Sequence, residues 1–288
     1  MEYLMAKFSV QKGFTLIELV TVIVILGIVG LGISSFMGNT MLLFAGSVER
    51  EQLMNEGRFA VTRMQREMAR AVPNSFRIAG NSGVHCVEFT PVVWPASYAT
   101  APFGSTSNRT INMFWPHDPD GNYHIVANDQ HIVIYPLQPA DVYDQSRNRK
   151  ARVTGCSDDG DGHCLTRDDS DDVIQVQVDR AFQQASPHHY AYFVNRTISY
   201  CVANGNVYRK EENMNTSQSL SLSGAVIVAE HVTNPLSGNP ASTYAANDPF
   251  MVFAGPAGKS NFVRINLQFN DNGEQVNHFQ EVHVAFKP

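Results

Sequence analysis

The sequence predicts an α+β fold, in which a long N-terminal helix packs on an antiparallel β-sheet head. Residues 14–46 are almost wholly apolar, and residues 47–73 repeat apolar positions with helical spacing. The remaining residues 74–288 switch to alternating strand patterns separated by turn residues. With 288 residues, of which 43% are hydrophobic, the chain is long enough to bury a sizeable core.

The apolar segment 14–46 contains a single charged side chain, Glu18. Its length suffices for a membrane-spanning helix, which needs roughly 20 apolar residues. The preceding residues 1–13 include Lys7 and Lys12, and positive flanking charge favours the cytoplasmic side. We therefore expect a cytoplasmic N-terminus with the head on the other side of the membrane. A secretory signal peptide is the alternative, but its apolar region is shorter, about 7 to 15 residues.

The start of this segment reads Lys12-Gly13-Phe14-Thr15-Leu16-Ile17-Glu18-Leu19 and resembles the class III signal of type IV prepilins. The resemblance implies that prepilin peptidase cuts between Gly13 and Phe14. Residues 1–13 are then a leader, and Phe14 is the new N-terminus, which in this family is usually N-methylated.

Glu18 is a candidate assembly residue. A carboxylate inside an apolar helix costs at least ~2.5 kcal/mol on membrane-insertion scales, so an ionisable residue there calls for a partner. The freed amine of Phe14 on a neighbouring subunit would supply the opposite charge at the same depth. The alternative is a Glu18 that reaches the membrane interface without a partner.

From Glu49 the chain is amphipathic, because apolar or small residues recur at steps of three and four. The predicted buried stripe is Leu53, Gly57, Val61, Met64, Met68 and Val72. The helix is predicted to end at Val72, before Pro73. Between the stripe positions lie Arg58, Arg63, Arg66, Glu67 and Arg70. We interpret these arginines as a solvated face or as intersubunit ion pairs, with a polyanion site as the alternative.

Beyond Pro73 the pattern predicts strands at 84–89, 132–137, 173–178, 190–194, 198–202, 226–232, 262–269 and 281–286. Several of them alternate apolar and polar residues, which indicates a half-buried antiparallel sheet. Asn204-Gly205 and Asn272-Gly273 each predict a tight hairpin. We expect one meandering sheet packed on the helix, with long loops at 95–110, 138–171 and 234–261.

Short segments of the head extend the resemblance. The strand at 198–202 with the following 205–210, and residues 70–75 at the helix end, are similar to segments of larger minor pilins and of J-type minor pseudopilins of type II secretion. With its large head, the chain looks like the large minor pilins of the mannose-sensitive haemagglutinin (MSHA) pilus. The resemblance implies a minor pilin that primes assembly or sits at the pilus tip, with surface attachment as a further role.

The resemblance also implies partners and a location. The partners are other major and minor pilins, the prepilin peptidase, the inner-membrane assembly platform and the lipid bilayer. The location is the inner membrane before assembly, and afterwards an extracellular pilus or a periplasmic filament of a Gram-negative bacterium. Two alternatives remain open: a minor pseudopilin of type II secretion, and a membrane-anchored extracytoplasmic ligand-binding module.

Composition and motifs argue against nucleic-acid binding and against an enzyme. A net charge of −6 argues against a nucleic-acid partner, which would need clustered positive charge. The sequence contains neither an HExxH zinc motif nor a GxSxG nucleophile motif. We therefore expect a structural subunit and not an enzyme, with no cofactor apart from the calcium ion considered below.

All four cysteines lie beyond the apolar segment, and an even number in such a region suits an oxidising compartment. Four cysteines allow three pairings. We favour disulfides between Cys156 and Cys164 and between Cys86 and Cys201.

The loop bracketed by Cys156 and Cys164, with the residues that follow it, is rich in carboxylates. Asp159, Asp161 and Asp168 fall on positions of a calcium-loop template, but the match is partial. We treat a Ca²⁺ site there as a hypothesis, and a solvated acidic loop as its alternative.

Overall fold

The computed structural model describes residues 13–104, 107–114, 125–128, 130–157, 173–241, 244–255 and 261–285. The chain divides between Glu51 and Gln52 into two compact units. The helices are α1 Leu16–Met68 and α2 Pro139–Tyr143, followed by a 3-10 turn at Gln145–Arg147. The strands are β1 Arg77–Asn81, β2 Val84–Phe89, β3 Trp94–Thr100, β4 Thr110–Phe114, β5 His131–Val133, β6 Lys150–Ser157, β7 Val173–Val178, β8 Tyr190–Val194, β9 Thr197–Ala203, β10 Asn206–Glu212, β11 Val226–Ala229, β12 Phe250–Phe253, β13 Phe262–Asp271 and β14 Glu274–His283. This is the predicted α+β class, an apolar N-terminal helix followed by antiparallel sheets.

Helix α1 is continuous from Leu16 to Met68. The residues of the predicted stripe within it are buried: Leu53, Gly57, Val61, Met64 and Met68. The helix ends earlier than the predicted end at Val72, because the backbone of residues 70–72 forms hydrogen bonds with another segment. The Val72 amide donates to the Thr90 carbonyl at 2.8 Å, and the Val92 amide donates to the Arg70 carbonyl at 2.9 Å. Residues 70–72 thus pair with the segment after β2 before Pro73 is reached.

Two open sheets cover the stripe of α1. One has five strands in the order β1-β2-β9-β10-β11, and the other has three in the order β12-β13-β14. Both predicted hairpins are confirmed: Asn204-Gly205 joins β9 to β10 with φ of 49° and 76°, and Asn272-Gly273 joins β13 to β14 with φ of 48° and 91°. Positive φ at both central residues is what a type I′ turn requires.

The hydrophobic core of the second unit lies between the helix stripe and the inner faces of these sheets. It contains Val61, Met64 and Met68 from α1 together with strand residues such as Val87, Phe89, Tyr200, Val207, Ile265, Leu267 and Phe269. The alternating burial along β13 places every second residue in this core. The sheet positions are therefore set by the same apolar stripe that the sequence shows in the helix.

A closed antiparallel barrel interrupts the five-stranded sheet. Its strands run β3-β4-β7-β6-β5-β8, and they lie in the chain between β2 and β9, which are direct neighbours in the sheet. The barrel interior is filled by side chains, including Tyr98, Ile111, Met113, Ile132, Val153, Ile174, Val176 and Phe193. The head is thus a pilin-like pair of sheets with a barrel inserted between two paired strands.

The expectation of one meandering sheet is wrong, and so are parts of the predicted loops. All of strand β3 except Trp94 lies within 95–110, β6 lies within 138–171 and β12 lies within 234–261. In the closed barrel, β3 and β6 are each hydrogen-bonded to a neighbouring strand on both edges. This pairing stabilises them as strands although their sequences lack a long apolar alternation. The predicted strand 132–137 also ends early, since Tyr135 has a φ of 49° and Pro136 lacks an amide hydrogen.

Candidate processing and assembly site at the start of the long helix

The residues at the predicted cleavage site are accessible. Gly13, Phe14 and Thr15 precede the first residue of α1. A Cβ atom placed on Gly13 would meet nothing within 4 Å, and Phe14 is 85% exposed. Among the described residues, nothing therefore blocks the access of a peptidase to the peptide bond between Gly13 and Phe14.

Thr15 and Glu18 form a capping box at the helix N-terminus. The Thr15 backbone N–H and its hydroxyl both donate to Glu18 Oε2, each at 3.2 Å, and the Glu18 amide donates to Thr15 Oγ1 at 3.4 Å. These bonds occupy amide groups that would otherwise lack a helical partner. The positive end of the helix dipole also favours a carboxylate in the first turn. The Glu18 carboxylate is therefore held next to the predicted new N-terminus.

The two carboxylate oxygens of Glu18 differ. Oε2 accepts from Thr15, whereas Oε1 accepts no hydrogen bond within the part of the chain that the structure describes. One oxygen can thus be oriented by the subunit's own helix cap while the other stays open to a second group. Sequence reasoning singled out Glu18 but missed Thr15, although the T-x-x-E spacing was a visible signal.

The helix behind this site is suited to a membrane. Leu16–Ser34 has a mean hydropathy of 2.7, and none of it is buried within the chain. The hydroxyl of Thr21 donates to the carbonyls of Ile17 and Glu18, each at 3.0 Å, so it needs no outside partner. Glu18 is the one charged side chain of this span.

A model of the prokaryotic N-terminal methylation motif matches residues 8–34. Comparisons with curated proteins and with solved structures gave no match. The matched segment contains the predicted cleavage site, Thr15, Glu18 and the apolar span. Together with the fold, it supports a membrane-anchored protein of the type IV pilin-like class, which comprises pilins and pseudopilins and indicates a structural subunit.

The structure contains the favoured disulfide between Cys86 of β2 and Cys201 of β9. These residues are direct partners in the antiparallel register. Cys156 is also disulfide-bonded, but Cys164 lies outside the described residues, so their pairing stays a prediction.

The calcium hypothesis also stays a prediction. Asp159, Asp161 and Asp168 lie outside the described residues. Within the described ranges, no group of three His, Cys, Asp or Glu side chains is placed to hold a metal ion.

Polar contacts connect the second half of α1 to the sheet. Arg209 Nε donates to both carboxylate oxygens of Glu67, at 2.9 and 3.1 Å, and Arg63 Nε donates to Oε1 at 3.3 Å. Burial raises the pKa of the neighbouring Tyr200 phenol, and the Glu67 carboxylate raises it further. Glu67 is thereby committed to contacts within the subunit.

A serine, a histidine and an aspartate meet between β2 and the loop before β12, but their geometry is not that of a catalytic triad. The Ser237 hydroxyl donates to Asp248 Oδ2 at 2.8 Å, whereas His85 Nε2 contacts the Ser237 carbonyl at 2.7 Å. His85 and Asp248 have no exposed side-chain area. A nucleophile would need its hydroxyl on the histidine ring nitrogen. The cluster instead fastens the loop to β2.

Buried polar groups also line the contact between the barrel and the five-stranded sheet. Lys150 Nζ donates to the Tyr143 carbonyl at 2.9 Å, and the Tyr143 hydroxyl donates to the Ser75 carbonyl at 2.9 Å. Arg77 lies 3.6 Å above the Tyr143 ring. Burial lowers the pKa of Lys150 to about 8, and the nearby positive charge of Arg180 contributes.

Proposed function

We propose that the chain is a minor pilin of a type IV pilus of the MSHA kind, which primes assembly or sits at the pilus tip. The observation that carries the proposal is the start of α1. There, an accessible Gly13-Phe14 junction is followed by Glu18, whose carboxylate caps the helix. Glu18 lies near the start of an apolar span that no other part of the described chain buries. A plain membrane anchor needs neither a carboxylate in that position nor a glycine before it.

In this proposal, prepilin peptidase removes residues 1–13 at the cytoplasmic face of the inner membrane. The new amine of Phe14 pairs with Glu18 of an adjacent pilin as the assembly platform moves the apolar helix from the lipid into the filament. The disulfide between Cys86 and Cys201 suits a head that folds outside the cytoplasm of a Gram-negative cell.

The barrel supports the minor class. It adds a second hydrophobic core to the head without contributing a strand to either sheet on α1. A head enlarged in this way suits a subunit present in few copies, at an end of the filament, better than one repeated along the shaft. Surface attachment through the enlarged head is part of the same proposal.

The experiment compares filament assembly in cells that carry Gly13→Val, Glu18→Ala or the control Glu51→Ala, which removes an exposed carboxylate beyond the apolar segment. We expect Gly13→Val to leave the unprocessed chain in the membrane and Glu18→Ala to give a processed chain that is absent from sheared filaments. Both should lower the number of surface pili, whereas Glu51→Ala should not. Normal processing, incorporation and pilus number in both variants would contradict the proposal.

The same cells distinguish a pilus from a secretion filament, because the methylation motif is common to pilins and pseudopilins. Loss of surface pili with normal protein secretion supports the pilus subunit. Loss of secretion with normal pili assigns the chain to a type II secretion filament instead.

A further inference from the structure

A groove lies on the part of α1 that belongs to the second unit. It has a volume of about 540 Å³ and is lined by Asn55, Arg58, Phe59, Thr62, Arg63, Arg66 and Glu67. Phe59 is 59% exposed, although the stripe on the opposite side of the helix is buried in the core. We call this surface the arginine groove.

The arginine groove has an excess of positive charge. Glu67, the one carboxylate among the described residues that line it, already accepts hydrogen bonds from Arg209 and Arg63. Arg58 and Arg66 are exposed, and neither forms an ion pair with any residue in the described ranges. Two guanidinium groups that lack an ion-pair partner in the described ranges therefore line the same groove as the exposed ring of Phe59.

We propose that the arginine groove binds an acidic segment of a different pilin-like subunit in the filament. This inference rests on the proposed function and names a partner for a surface outside the processing site. The occupant would place an apolar side chain on Phe59 and carboxylates against Arg58 and Arg66. Arginine suits this role because its planar guanidinium group binds carboxylates in a bidentate manner.

The shape of the groove favours a protein segment over a small anion. Asn55, Phe59, Thr62 and Arg66 follow one another on successive turns, which gives a strip about 16 Å long at 1.5 Å per residue. A strip of that length with an exposed apolar ring and nearby arginines matches a helix or strand that carries an apolar residue together with acidic ones.

A second copy of this chain fits the groove less well. Two identical grooves facing each other would bring the arginines of both copies together, and such like-charge contacts at an interface are unfavourable. The groove of a second copy is therefore excluded as the occupant, and the proposal commits to a segment of a different subunit that presents carboxylates.

The test places the photocrosslinking amino acid p-benzoylphenylalanine at position 59 of the full chain, in cells that assemble filaments. We expect a light-dependent adduct with another pilin-like subunit, joined through a peptide rich in Asp or Glu. The double change Arg58→Glu and Arg66→Glu should lower the adduct yield about tenfold, equivalent to about 1.4 kcal/mol. The control Arg70→Glu reverses an exposed charge outside the groove and should leave the yield unchanged.

Charge reversal in the mapped acidic peptide should restore the adduct to the double variant. An adduct of the chain with itself, an adduct with lipid, or no adduct from a chain present in the filaments would overturn the groove proposal and leave the proposed function standing. A chain that never enters filaments would overturn both.

Discussion

At the residue scale, the capping box explains how the apolar helix accommodates Glu18 and how one oxygen of its carboxylate is held in place. Its Oε2 accepts two hydrogen bonds from Thr15, which offsets part of the cost of a carboxylate in an apolar helix. Oε1 accepts no hydrogen bond within the described ranges, so in the proposed function it is the oxygen that accepts the amine of an adjacent subunit. Thr15 is in this account a positioning residue for the proposed intersubunit ion pair.

The substitution Thr15→Val tests that role. We expect it to weaken the helix start by about 1 kcal/mol, which corresponds to about fivefold faster hydrogen exchange at the Glu18 amide in detergent micelles. Thr15→Ser keeps the hydroxyl and should behave as the wild type, and Thr21→Val should leave the exchange at Glu18 unchanged. Equal exchange rates in Thr15→Val and the wild type would show that the cap does not hold the first turn.

Lys150 makes a second residue-scale prediction, on pH dependence. Its folded pKa of about 8 lies below the ordinary value of 10.5. Between these two values the unfolded chain binds more protons than the folded chain, so the free energy of unfolding rises with pH. Lys150→Met removes this titration, and its denaturation curves in detergent should show a smaller rise across the window than the wild type.

The control for Lys150→Met is Lys210→Met, which removes one positive charge from β10. If the wild type and Lys150→Met change in parallel between pH 8 and pH 10.5, the buried ammonium group of Lys150 does not set the slope.

At the element scale, the contact between α1 and β14 depends on the absence of a side chain at Gly57. A Cβ atom there would overlap the His278 ring and lie 3.0 Å from Phe269 Cε2. The glycine of the predicted stripe therefore lets β13 and β14 approach the helix closely. Burial lowers the pKa of His278, and the positive charge of Arg58 lowers it further. At a pH above the ordinary titration range of histidine, the His278 ring is therefore neutral in this contact.

Gly57→Ala is predicted to destabilise the head even though alanine is the better helix former. The His278 ring has to move, and such overpacking costs about 1 to 3 kcal/mol. The melting temperature in detergent should fall, whereas Gly30→Ala, which meets open space, should leave it unchanged. A melting temperature that stays constant or rises in Gly57→Ala would show that the ring adapts freely.

The elements that the sequence predicted best are those specified locally. Strands β2, β7 and β8 have the predicted bounds, since each is a short continuous segment rich in apolar residues. The two Asn-Gly hairpins follow from the positive φ that these residues adopt readily. Strands β3 and β6 were missed because both edges of each are paired within a closed barrel, and that pairing depends on segments distant in the chain.

The same distinction holds at the site. Gly13, Phe14 and Glu18 were predicted from neighbouring residues, because a processing signal and the first helical turn are local in sequence. The arginines of the groove were visible as a charged face, but only the fold shows that Glu67 is bound to Arg209 of β10 and so leaves the groove positive.

At the scale of the whole molecule, the head is built by insertion. The chain leaves the five-stranded sheet after β2, forms the barrel, and returns as β9 beside the strand it left. The disulfide between Cys86 and Cys201 joins these two strands in direct register. It therefore covalently links the strand before the barrel to the strand after it, within the sheet that packs on α1.

The double change Cys86→Ala and Cys201→Ala is predicted to cost about 2 to 5 kcal/mol, because the unfolded chain gains the freedom of a long loop. The measurement is the free energy of unfolding of the oxidised full chain in detergent. Equal stability of the variant and the wild type would mean that the β2 and β9 hydrogen bonds alone hold the insertion closed.

The central claim, that this chain is a processed filament subunit, is tested most directly at its mature N-terminus. Surface filaments are sheared from cells, and the N-terminal peptide of the chain is identified by mass spectrometry. We expect a peptide that begins at Phe14 and carries one methyl group on its amine. A peptide that begins at Met1, or at any residue other than Phe14, would contradict it.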